Sequence, residues 1–106
     1  NADGKYVSPD DTTFAAAAAS ADWFSVPGMG ISMVNAKGAN SWPVSTASFI
    51  LMYKDPADKA QSAEVLKFFD WAFKNGKQMA AELDYVALPD SLTNEIRSKV
   101  WSQIAL

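Results

Sequence analysis

Ala47-Ser48-Phe49-Ile50-Leu51-Met52-Tyr53 is the longest apolar stretch of the chain, and it is closed by Lys54-Asp55-Pro56. A strand with one face in water alternates apolar and polar side chains. A nearly continuous apolar run predicts instead a strand covered on both faces, as in a parallel or mixed sheet flanked by helices. The run is far too short to cross a bilayer. A buried strand needs partners on its hydrogen-bonding edges, so the rest of the chain must be searched for them.

Upstream, Trp42-Pro43-Val44 is extended, because Pro43 restricts the residue before it and blocks regular ladder pairing. Ala36–Ser41 is rich in turn formers. Ile31–Asn35 alternates apolar and polar and predicts one short strand. Trp23–Gly30 carries Pro27, Gly28 and Gly30 and reads as a loop. Further upstream, Ser8-Pro9-Asp10-Asp11 opens a helix, with Ser8 as N-cap, Pro9 at the first helical position and both aspartates at the positive helix end. This helix continues through Phe14 and Ala15–Ala19 to about Asp22. Asp3-Gly4 makes the first turn.

Downstream, Ala57–Asn75 predicts a helix capped by Asp58 and stopped by Gly76. Its apolar residues, among them Val65, Leu66, Phe68, Phe69, Trp71 and Phe73, cover more than one stripe, so neighbours are expected on two sides. Lys77–Leu83 predicts a short helix. Pro89 and Asp90 start the last one, whose Leu92, Ile96 and Val100 recur at four-residue spacing beside Trp101 and Ile104. The expectation is an α/β chain with one or two strands and three to four helices. Only one partner strand can be found, so the other strands of the sheet must lie outside these residues.

Composition removes several functions. The 106 residues hold no histidine and no cysteine, and the net charge is −3. The common zinc sites, cysteine and histidine nucleophiles, histidine bases and disulfides are therefore excluded. Arg97 is the only arginine, which argues against a nucleic-acid binder. An apolar fraction of 49% with 20% charged residues is that of an ordinary folded domain. The chain opens on Asn1-Ala2-Asp3 without an initiator methionine, so either a leader was removed or the sequence starts within something longer.

Three stretches together resemble one family. Ser41-Trp42-Pro43-Val44-Ser45-Thr46-Ala47-Ser48-Phe49-Ile50-Leu51, Glu64-Val65-Leu66-Lys67-Phe68-Phe69-Asp70-Trp71-Ala72-Phe73 and Leu83-Asp84-Tyr85-Val86-Ala87-Leu88-Pro89 are similar, in that order, to segments of the periplasmic phosphate-binding protein of the high-affinity phosphate ABC importer. The opening Ala2-Asp3-Gly4-Lys5 and Ser8-Pro9 fit as well. The likeness is weakest around Phe24–Met33. It implies the C-terminal part of a two-lobed (type II-like) periplasmic binding protein. Residues 1–46 would be the end of one lobe plus a crossing segment, and residues 47–106 would complete the other. The partners implied are inorganic phosphate, the missing N-terminal portion and the permease subunits. In that family the phosphate is gripped by earlier segments: a Thr-Phe turn, a serine at a helix start, an acceptor aspartate and an Arg…Ser-Gly-Thr loop. This sequence has no Ser-Gly-Thr and no matching arginine, so no ligand residue carries over.

The residues read the same way without the family. A phosphate cage needs convergent donors, yet the helix starts hold Asp10, Asp11, Asp58 and Asp90. Arg97, with Glu95 and Lys99 paired around it, is expected on a solvated charged face. Ser45, Thr46 and Ser48 would either line a cleft or bond the backbone beside Pro43. Gly28-Met29-Gly30 is too short for a phosphate loop. Asp55 and Asp58 make a turn and cap more naturally than a cation site. The aromatics Trp23, Trp42, Trp71, Trp101, Phe68, Phe69 and Phe73 are expected as core, or as interface left bare. The sequence thus predicts no catalytic residue, no phosphate-binding residue in this stretch, no metal and no cofactor. Its alternatives are a self-associating interaction fragment and a secreted phosphatase-like protein. The second lacks any paired nucleophile and base.

Overall fold

A computed structural model describes residues 1–106. The chain divides into two compact units, Asn1–Ser48 and Phe49–Leu106.

The first unit is built on helix α1, Asp11–Ser20. Its N-cap is Asp10 rather than Ser8. The Asp10 carboxylate accepts from the Thr13 amide at 3.0 Å, and Thr13 Oγ1 accepts from the Asp10 amide at 3.1 Å. This reciprocal capping box satisfies two otherwise orphan amides. Thr13 Oγ1 also donates to the Ser8 carbonyl at 2.6 Å, so Ser8 belongs to the approach and not to the helix. Ala17 and Ala18 are buried, and small side chains here let the backbone come close to its neighbours. Trp23 is buried beside them and donates its indole N–H to the Ala18 carbonyl at 2.8 Å. Trp42 packs near Phe14, with ring centroids 6.2 Å apart, and its amide donates to the Thr13 carbonyl at 3.0 Å. Ser41, 1% exposed, donates to the Lys37 carbonyl at 2.6 Å.

Ile31–Asn35 is not a strand. Asn35 sits at φ 55°, in the left-handed region, and its amide donates to the Pro43 carbonyl at 2.8 Å. A left-handed residue turns the chain and breaks the alternation a strand requires. A 3₁₀ turn at Pro27–Met29 precedes this loop.

The second unit carries α2 (Lys59–Asn75), α3 (Lys77–Glu82), α4 (Asp90–Lys99) and a 3₁₀ turn at Trp101–Gln103. Asp58 caps α2, accepting from the Gln61 amide at 3.0 Å. Gly76 ends it, its amide donating to the Ala72 carbonyl at 2.8 Å. α3 closes through Asp84 at φ 61°, with the Tyr85 amide returning to the Ala80 carbonyl at 2.8 Å. That is a left-handed C-terminal cap, which Asp tolerates better than most side chains. α4 begins at Asp90 with Pro89 as its N-cap, one position later than the sequence suggests. Leu92 is 5% exposed, a burial that contributes roughly 2 kcal/mol. Ile96, Val100, Trp101 and Ile104 are half-buried.

The structure contains no strand. Residues 45–53, including the apolar run, take no regular secondary structure. Ile50, Leu51 and Tyr53 are 54%, 94% and 83% exposed. The expected two-faced buried strand is therefore corrected, and the physical reason is the one the sequence raised. A strand exists only against an edge, and this chain supplies none.

Candidate functional site

The strongest polar cluster is in the second unit. Asp70, on α2, accepts from Arg97 Nε of α4 at 2.7 Å and pairs with Lys74 at 2.7 Å. Arg97 also donates to Asn94 Oδ1 at 3.0 Å. Its guanidinium carbon lies 5.6 Å from the Phe73 ring centroid and 6.0 Å from that of Trp101. Phe73 and Trp101 are themselves stacked, 5.4 Å apart and nearly parallel at 3°. Arg97 is thus not on the solvated face expected for it. It is a tie between α4 and α2, held by one carboxylate and two aromatic faces. Its sequence signal is Asp70 in the aromatic-rich helix, but nothing local says that the two would meet. Glu95 and Lys99 do form their pair one turn apart, at 2.8 Å.

Lys74, and next Arg97, hold the Asp70 carboxyl below the usual carboxylate range. Lys77, on α3, binds Asp90 at 2.6 Å and lowers the Asp90 carboxyl likewise. The Thr12 hydroxyl and the Thr13 amide do the same to Asp10. All three are ionised at neutral pH. Asp10 and Asp58 occupy the starts of α1 and α2, and Asp90 lies in the first turn of α4. A helix start attracts an anion through its free amides and dipole. Here the amides of Thr13 and Gln61 are already spent on the chain's own carboxylates.

The other candidates fall into structural places. Ser45 is buried and donates to the Trp42 carbonyl at 3.1 Å, while Thr46 and Ser48 are exposed. Asp55 pairs with Lys59 at 3.5 Å, and Asp58 is a cap. No group of three or more acidic side chains is placed to hold a cation. Between α2, α3 and α4 lies a hollow of about 210 Å³, lined by Ala72, Phe73, Ala80, Leu88 and Thr93 among others. Its lining is mostly apolar, and its one cation, Lys77, is already bound to Asp90. No helix is long and apolar enough to cross a membrane.

These arrangements build and tie helices. No set of convergent donors, nucleophile with base, or cation cage is assembled from them. What the fold defines is an α-helical arrangement with an exposed apolar segment.

The chain is 46% identical over 99 residues to the phosphate-binding protein PstS of Pasteurella multocida, a match covering 93% of this chain and 29% of that protein. It is 42% identical over 99 residues to the protein of that name from Haemophilus influenzae, covering 93% and 30%. It is 43% identical over 98 residues to that from Xylella fastidiosa, covering 92% and 27%. No family model matches the chain. By sequence, then, this chain is a relative of the PstS phosphate-binding proteins over nearly its whole length. It spans 27% to 30% of the length of the relatives quoted.

Proposed function

We propose that the chain is the C-terminal part of a periplasmic protein that binds inorganic phosphate and delivers it to the permease subunits of an ABC importer. The observation that carries this reading is the 46% identity to a phosphate-binding protein, sustained across 93% of the chain. In this reading the complete protein has two α/β lobes. Residues 1–46 finish one lobe and carry the chain across. Residues 47–106 complete the other, with 47–53 becoming a strand once the remaining polypeptide supplies its neighbours. The mechanism is hinge closure of the lobes around the anion, followed by docking on the permease. The chain's part is scaffolding, and the groups that hold phosphate come from the polypeptide outside it. Its own helix starts support that division, since two are filled by carboxylates and a third carries one in its first turn. The relatives are named as binding proteins, which fits a protein that is not an enzyme.

Calorimetric titration with inorganic phosphate tests the assignment. The 106-residue chain alone is expected to give no saturable heat. Tight, saturable uptake by this chain alone would overturn the division of labour, because it would require a cage within these residues.

A further inference from the structure

We infer that Phe68 and Trp71, on the outer face of α2, form the seat for the sheet that the remaining polypeptide completes. The inference rests on the reading of the chain as a segment of a longer binding protein.

α2 has two distinct sides. Asp70 and Phe73 face α4 through Arg97 and Trp101. The other side carries Gln61, Glu64, Phe68, Trp71 and Asn75, spaced alternately by three and four residues, which is a single stripe along a helix. All five are exposed. Phe68 is 59% and Trp71 48% exposed, and their rings stack on one another at 6.5 Å. Two large adjacent aromatics left in water are unusual for a chain folding alone, and mark a surface made to be covered.

The occupant follows from what stands next to the helix in sequence. The apolar segment 47–53 lacks any neighbour strand, and α2, which begins at Lys59, is the next element after it. A helix that follows a sheet strand packs back on that sheet. The side of α2 facing α4 is taken, and the side on which the helix still holds large aromatics in water is that of Phe68 and Trp71. The length of chain that would supply the strands is there in the relatives, where the matched stretch is only 29% of the Pasteurella multocida protein.

Hydroxyl-radical footprinting read by mass spectrometry tests this. The probe is applied to this chain alone and to a chimera in which it replaces the matched stretch of the Pasteurella multocida relative. Labelling of Phe68 and Trp71 is expected to slow several-fold in the chimera. Equal labelling in a chimera that melts cooperatively would overturn the inference. Mixing this chain with the separately produced remainder of that relative gives the same comparison if the chimera does not melt as one unit. Phosphate titration of the same sample separates the two claims. Protected aromatics without phosphate uptake would refute the functional reading and leave this one standing. Uptake with freely labelled aromatics would do the reverse.

Discussion

Arg97 has half of its surroundings in aromatic rings and the other half in oxygen acceptors, and Asp70 is the group that fixes it there. The Asp70 carboxyl is held below its ordinary value, first by Lys74 and then by Arg97. A carboxyl depressed on folding stabilises the fold above its unfolded value, here near 3.8, and that contribution is lost as the pH falls through the lower folded value. Asp70→Asn is therefore expected to lower the melting temperature modestly at neutral pH, because partly exposed ion pairs are screened. The gap between variant and parent should close as the pH falls below about 4, where the parent carboxyl is itself being neutralised. Thermal melts at a series of pH values check this. A gap of undiminished size at about pH 2 would mean that Asp70 acts through packing and not through charge.

At the scale of elements, the junction of α2 and α3 is the sharpest local constraint. Gly76 ends one helix and starts the next with no intervening loop. A β-carbon built there would lie 2.6 Å from the Ala72 carbonyl oxygen, a backbone atom that cannot swing aside. Gly76→Ala is expected to destabilise the second unit by about 1–3 kcal/mol, the usual cost of forcing an atom into filled space. A urea midpoint equal to the parent's would show that the junction relaxes freely. The stop at Gly76 was legible in the sequence, as were Asp58 and the helix between them, because caps and stops act on their own neighbours; the close approach to Ala72 was not. The start of α1 was misplaced by a similar local contest. Ser8-Pro9 is a good opening, but Asp10 with Thr13 closes a two-way capping box and wins. The two expected strands did not form, because a strand is a relation to another edge and composition alone does not supply one. Ile31–Asn35 has the alternation and still turns at a left-handed Asn35. Residues 47–53 have the composition and no partner. The candidate site shows the same limit. Arg97 and Asp70 are 27 positions apart, and no pattern along the chain announces their meeting.

For the whole molecule the exposed apolar segment decides behaviour in isolation. Ile50, Leu51 and Tyr53 leave most of their surface in water, and no ladder partner covers the backbone between them. Such a segment is a template for pairing with any available edge, and in a solution of this chain alone the available edge is a second copy. Lysine is the side chain natural sheets use to block such pairing. Sedimentation of the 106-residue chain is therefore expected to give a mass that rises with concentration, and Leu51→Lys to shift it toward the monomer. Leu51 is 94% exposed, so the substitution removes little packing within the chain and tests association rather than folding. A parent that stays monomeric across the concentration range would mean that the segment folds away without a partner. The need for outside strands, on which the reading of 47–53 rests, would then fail with it.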